Sequence, residues 1–266
     1  MSTEENDPMN PTTADRETPI PTPVAEVRQE ARYRLRLARN AEDIRAAQLL
    51  RFMVFNLELR EGLESSYNTL LDADRFDPVC DHLLVETAAG DVVGTYRLQT
   101  GTAAGLNHGY YSEQEFDFAP FASMRAGMVE LGRACVHADH RNFAVLNLLW
   151  RGIARYARER GARWLIGCSS LTSQDPAVGA AAYHQLAGHL DPMELRTRPT
   201  APFVCPMDTV APVAPSIPRL LSGYLTVGAR ICGEPALDRE FKTIDFLTLM
   251  DLDSLPPRVG ARFFGE

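Results

Sequence analysis

Lysine is nearly missing from this 266-residue chain: of 27 basic side chains only Lys242 is one. Positive charge therefore resides in guanidinium groups, which are planar, bidentate and permanently ionised. An excess of cations is missing too. With 35 acids the formal net charge is −8, which excludes an unspecific electrostatic grip on nucleic acid. No apolar run reaches about 18 residues, so a spanning helix is excluded. Met1–Asn10 lacks the basic-then-apolar order of a signal peptide, and the chain reads as cytoplasmic. The five cysteines, Cys80, Cys135, Cys168, Cys205 and Cys232, form no C-x-x-C pair. Free thiols in a reducing compartment are expected, with no disulfide frame and no zinc site. His137-x-x-His140 has no third ligand at metal spacing, so no metal is expected. Ser169 and Ser170 lack a G-x-S-x-G elbow, which removes a serine hydrolase. Aromatics are absent from Met1–Arg32, which carries five prolines and seven acids against three arginines. Such a stretch cannot bury enough apolar surface to offset chain ordering and is read as a disordered acidic tail, residues 1–32.

What remains, residues 33–266, is long enough for one sizeable core. A second Pro-rich stretch, Pro199–Pro218, sets off a C-terminal extension from about residue 208 and is read as a long connection. Strands are expected at Tyr33–Arg36, at His82–Glu86 turning through Ala88–Asp91 into Val92–Gln99, at Val129–His137 and at Arg163–Cys168. Helices are expected from the Asn40 cap to about Leu59, over Ala144–Arg160, from Asp175-Pro176 to His184, and over Arg219–Ile231. Phe203–Met207 and Ile244–Met250 read as late strands. Helices and strands alternate, so the fold class is α/β or α+β.

Several charges fall where apolar residues belong. Arg51 sits in the middle of the apolar arc Ile44, Ala47, Val54 and Phe55. Either it snorkels outward, or it points inward and must find carboxylates, because an unpaired buried charge costs several kcal/mol. Asp72, Asp74 and Asp77 are available. Asp74-x-x-Asp77 can present two carboxylates to one arginine fork, though each aspartate also suits turn chemistry. Arg97 shares a strand face with Val93 and Thr95. In Glu130-Leu131-Gly132-Arg133, strict alternation sends Glu130 and Arg133 to opposite faces. A bulge at Gly132 brings them to one side and turns a backbone N–H out of the ladder. Structural ion pairing is the competing explanation for all these charges. Arg141, ahead of the Ala144–Arg160 helix, can either cap a loop or bind phosphate with the free helix N–H groups.

These segments together resemble the GNAT-related N-acyltransferases. The stretches are Leu50–Phe55, Asp74-Arg75-Phe76-Asp77 with Cys80–Val85, Val93–Leu98 and Glu130–Arg133. Their order and spacing are similar to the acyl-homoserine lactone synthases. A closer resemblance, to the bacterial L-ornithine Nα-acyltransferases once labelled hemolysins, rests on Gly109–Glu113 before Glu115-Phe116-Asp117 and on Cys135–His137 leading to His140-Arg141. It rests also on Leu148–Trp150, Ile166–Ser169, Pro218–Leu225 and Gly233–Ala236 through Asp245. The likeness runs from about Tyr33 to Phe264.

The resemblance implies a GNAT-like fold, a twisted mixed sheet flanked by helices and splayed into a cleft. It implies transfer of a 3-hydroxyacyl group from acyl carrier protein to the α-amine of ornithine. The product is lyso-ornithine lipid, the first step toward ornithine lipids. No tightly bound cofactor is implied. By position, Arg51, Asp74, Asp77, Arg97, Glu130 and Arg133 match the charged network of the lactone synthases. The usual pyrophosphate loop of the fold is altered: Arg141–Leu146 lacks both glycines, which suits a carrier-borne phosphopantetheine arm held near Arg141 rather than free CoA. On this reading Glu130 is the base, Gly132 the oxyanion donor, and Arg51 and Arg97 anchor the acceptor's carboxylate. Asp74 or Asp77 holds those arginines or the acceptor's side-chain ammonium. Rivals are acylation of glycine, glutamine or lysine, a lactone synthase, a non-catalytic carrier-binding module, and a membrane-damaging protein. The acidity and the lack of a basic amphipathic helix speak against the last. The lactone synthases resemble only the first part of the chain. A long-chain product suggests peripheral contact with the inner membrane, with Leu220–Val227 as one apolar helix for it.

Overall fold

The structure, a computed structural model, describes residues 32–263. The expected tail lies, except for Arg32, outside them. Eight strands form one mixed sheet. Strands β1 (Tyr33–Leu37), β2 (Asp81–Thr87), β3 (Val92–Thr100) and β4 (Met128–Val136) are consecutive antiparallel neighbours. Strand β5 (Trp164–Leu171) lies parallel to β4, reached through helix α2 (Phe143–Glu159). On the far side of β5 runs β8 (Thr243–Asp251), which also carries β6 (Arg230–Ile231) and β7 (Ala236–Asp238). The segment after Pro218 therefore completes the sheet rather than hanging from it.

Helix α1 (Ala41–Arg51) starts at the Asn40 cap, whose side chain accepts from the Asp43 N–H. Past Arg51 the same helix widens into a π-helical stretch, Phe52–Glu58, a geometry frequent at functional sites. Asn142 caps α2 and Asp175 caps α3 (Pro176–Gln185), as expected from their sequences. Helix α4 (Arg219–Thr226) is shorter than expected, because Gly228 takes a left-handed φ of 110° and the chain turns into β6. Phe203–Met207 is not a strand: a 3-10 turn, Ala201–Phe203, leads into a loop with one isolated bridge, Val204 to Ala236. Pro202 and Pro206 leave too few N–H groups there for a ladder.

Alternation along β3 sorts the molecule into two faces. Tyr96 and Leu98 join the core beneath α2, with Leu83, Val85, Leu149 and Ile153. Thr95, Arg97 and Gln99 turn to the side of α1 and are buried there. On that side β4 and β5 share only three paired positions, 128–130 against 164–166, and then separate. Gly167 permits the close pass at the fork, since a Cβ there would sit 2.2 Å from the Leu131 carbonyl oxygen. The opening between the two strands becomes the cleft.

Candidate active site

The inward reading of Arg51 is the observed one: it is 1% exposed. Its Nε lies 2.9 Å from Asp72 Oδ2 and its Nη2 lies 2.7 Å from Asp77 Oδ2. Arg97 Nη1 reaches Asp74 Oδ1 at 2.6 Å and Asp77 Oδ1 at 3.0 Å, so the Asp74-x-x-Asp77 pair does share one guanidinium. Arg133 reaches Asp72 Oδ2 at 3.3 Å and Asp74 Oδ2 at 3.1 Å. The six groups thus close into a ring, Arg51–Asp77–Arg97–Asp74–Arg133–Asp72, with cation and anion alternating and no net charge. Burial opposes the ionisation of Asp74 and Asp77, yet the neighbouring arginines hold both carboxyls below their usual range. Burial likewise works against Arg97, and Asp74 and Asp77 outweigh it. Turn chemistry holds as well, since Asp74 Oδ1 accepts the Phe76 N–H at 2.8 Å.

A cavity of about 310 Å³ opens between β4 and β5, and Arg97 and Arg133 form one side of it. Arg51, Asp74 and Asp77 are not among its lining residues. Of the two roles expected for Asp74 and Asp77, the geometry shows the first, holding the arginines, and Arg51 is linked to the cavity only through the carboxylates it shares with Arg97 and Arg133. Arg51 and Asp77 form the second layer that fixes Arg97 and Arg133, and Asp74 is committed to those two guanidinium groups. Arg133 is stacked between Tyr111 and Phe241, 4.6 and 4.4 Å from the ring centres.

Glu130 and Arg133 do share one cavity, through a bulge in β4. The extra residue is not at Gly132, which pairs with Arg97, but in the step to Cys135, which pairs with Thr95. Arg133 carries the strain, with a φ of 49°. Gly132 still borders the cavity, and a Cβ on it would meet nothing within 4 Å.

Glu130 is 5% exposed and tightly held. Its Oε2 accepts the Tyr111 N–H at 2.7 Å. Its Oε1 accepts the Ser112 N–H at 2.8 Å and the Ser112 hydroxyl at 2.6 Å. Burial raises its pKa against these donors. The Gly109–Glu113 segment thus places two backbone donors on the buried acid, a role the sequence did not reveal. Cys168 lies on β5, with its Sγ 3.5 Å from Ser112 Oγ and 3.6 Å from Glu115 Oε2. Burial pushes this thiol well up, so it is a poor nucleophile.

The cavity lining also carries a group that sequence reasoning missed. Glu115, Asp238 and Asp245 are all buried, with carboxylate oxygens within 4.8 Å of one another. Burial and mutual repulsion raise Glu115 well above the usual range, and burial chiefly pushes Asp245 up to about 6. They come from the Tyr111–Gln114 turn's exit, the end of β7 and β8. The one available signal was Asp245 inside an apolar strand. Glu61, also buried at the cavity, hydrogen-bonds Thr172, and burial raises its pKa too.

Arg141 lies away from this cavity, exposed beside the α2 N-terminus. It pairs with Glu58, Nη2 to Oε2 at 2.7 Å, and donates to the Val136 carbonyl at 3.0 Å. A second, much smaller cavity, about 20 Å³, opens between Leu131 and Gly167 and shares Leu131 and Cys168 with the first. Among the described residues no helix is long and apolar enough to cross a membrane. All five cysteines are free.

Residues 50–151 match the acetyltransferase (GNAT) domain family. An L-ornithine N(alpha)-acyltransferase of Rhodobacter capsulatus is 35% identical over 241 residues, covering 84% of this chain and 91% of the relative. One of the same name from Agrobacterium fabrum is 33% identical over 248 residues, covering 87% and 85%. Among solved structures, FeeM, an N-acyl amino acid synthase from uncultured soil microbes, superposes with a TM-score of 0.51 at 11% identity. It covers 84% of this chain and 92% of that one. The splayed sheet is thus a GNAT-type fold, the chain is an acyltransferase, and it belongs to the family of the L-ornithine N(alpha)-acyltransferases.

Proposed function

We propose that this acyltransferase moves a 3-hydroxyacyl group from acyl carrier protein onto the α-amine of L-ornithine, giving lyso-ornithine lipid. The observation that carries the reading is the division of charge in one cavity: guanidinium groups on one side, buried carboxylates on the others. A diamino acid is the complementary guest, with one carboxylate and two ammonium groups. Arg97 and Arg133 draw in its carboxylate, their forks already oriented by the neutral ring behind them. Because the ring's charges balance, these arginines present directed N–H groups and little net field.

The α-ammonium must lose a proton before it attacks a thioester carbonyl. Glu130 takes that proton, directly or through water, because its burial raises proton affinity while two backbone N–H groups fix its position. The nitrogen then bonds to the carbonyl carbon. The negative charge that develops on the carbonyl oxygen is met by the backbone at Gly132 and Arg133, where the bulge interrupts the ladder. Collapse of the intermediate breaks the carbon–sulfur bond and leaves the amide and a thiol on the donor.

The donor's arm enters along the gap between β4 and β5, with its phosphate near the α2 N-terminus and Arg141. Arg141 is held there by one backbone hydrogen bond, to the Val136 carbonyl, and by an exposed ion pair with Glu58, which is worth little and is readily exchanged. The loop from Arg141 to Leu146 places Ala144 and Leu146 where the fold's usual glycines admit a pyrophosphate. A single phosphodiester on a carrier protein suits it better than CoA. A long-chain product leaves toward the inner membrane face, where the protein docks peripherally.

Identification of the product by mass tests the reading. The protein is incubated with 3-hydroxyacyl carrier protein and, separately, ornithine, lysine, glycine, glutamine or S-adenosylmethionine. Acyl-ornithine as the main product, with little turnover from the matching acyl-CoA, is expected. An acyl-homoserine lactone, a glycine or glutamine amide, or carrier binding without thioester consumption would reject it.

A further inference from the structure

The ornithine reading leaves one wall of the cavity without a task. Glu115, Asp238 and Asp245 stand there 1, 4 and 3% exposed, and among the described residues none of them forms an ion pair. Arg133, the nearest cavity cation, is bound to Asp72 and Asp74. Partners from the protein are sparse. Asp238 Oδ1 accepts the Glu240 and Phe241 N–H groups, both at 2.8 Å. Asp245 Oδ2 accepts the Thr243 hydroxyl at 3.0 Å, Ser170 and Glu115 also hydrogen-bond the Asp245 carboxyl, and Glu115 receives the Cys168 thiol. Asp245 lines the cavity, and its Oδ1 is buried and makes no hydrogen bond. A buried acceptor with no donor is costly, and three buried acids side by side more so.

We propose that Glu115, Asp238 and Asp245 form the receptor for the acceptor's side-chain ammonium and so select a short diamino acid over its neutral analogues. The proposal rests on ornithine being the acceptor. A primary ammonium brings three N–H donors on a compact centre, one for each carboxylate. It also brings the positive charge the wall lacks. Position fits as well: Cys168 touches both Ser112, which bonds Glu130, and Glu115. The proton-accepting site and the ammonium receptor are therefore neighbours across one thiol, as the two ends of one small molecule require. Side-chain capture here leaves the α-amine at Glu130 and accounts for acylation at the α rather than the terminal nitrogen.

Ornithine and norvaline, which has a methyl group where ornithine has its aminomethyl group, separate this role from all others. For wild-type protein kcat/KM is expected to favour ornithine by ~100-fold or more. Asp245→Asn and Glu115→Gln are each expected to cut that preference by ~10-fold, through a higher KM for ornithine. Neither exchange leaves a cavity, and their melting temperatures show whether they fold. Parallel losses for both acceptors would overturn the proposal by giving the acids to the α-amine or to the fold. Loss of ornithine binding on treatment with EDTA would overturn it in favour of a divalent ion. Calorimetry without donor keeps the two levels apart. If no acyl-ornithine forms, yet wild type binds ornithine and not norvaline and Asp245→Asn loses that binding, the receptor stands and the reaction falls.

Discussion

Asp245 illustrates how a single side chain trades stability against use. Its carboxyl is pushed to about 6 from 3.8, mainly by burial. A carboxyl whose folded pKa is raised binds its proton more tightly in the native state. Stability is therefore greatest below the unfolded value and falls as pH rises through the folded one. The cost at neutral pH is on the order of 2–3 kcal/mol. Asp245→Asn removes it, so the ligand-free variant should melt above wild type at pH 7, by several degrees. The two melting curves should converge near pH 4. A gain that is equally large at pH 4 and 7, or a loss at pH 7, would show that the carboxylate is not strained by its surroundings.

At the scale of elements, the ring ties together α1, the Asp72–Asp77 loop, β3 and β4. Arg51 is buried among its members, gripping two carboxylates at once. Arg51→Ala should lower unfolding free energy by ~3–5 kcal/mol, because Asp72 and Asp77 lose a buried partner. Arg51→Lys should recover only part of that, since one ammonium cannot fork to two acids. Urea unfolding measures both; a cost under ~1 kcal/mol for the alanine variant would mean that the ring does not hold these elements. Much of this level was legible in the sequence. An arginine in an apolar arc and aspartates three apart announce a buried pairing, and Asn40, Asn142 and Asp175 announce their helices. The bulge was legible as a need and misplaced by one residue, since glycine is the usual choice for a strained φ but Arg133 takes it here. Arg133 remains held because Asp72, Asp74, Tyr111 and Phe241 grip its far end.

For the whole molecule, the cleft is a product of topology. The first half of the chain supplies the ring and Glu130, while β7 and β8, more than a hundred residues later, supply Asp238 and Asp245. No local pattern relates them, which is why the acidic wall stayed hidden while the ring did not. The same distance in sequence lets one guest be read at both ends. On the proposed reading its carboxylate meets arginines fixed by the early strands, and its side chain meets acids that come mostly from the late ones. The central claim is that this charge-divided cleft serves to deprotonate an amine beside a thioester. Single-turnover acyl transfer by Glu130→Gln, with ornithine binding measured in parallel, tests it most directly. Transfer slowed by ~100-fold or more, with the fold and ornithine affinity kept, is the expected result. Transfer within a few-fold of wild type would contradict it.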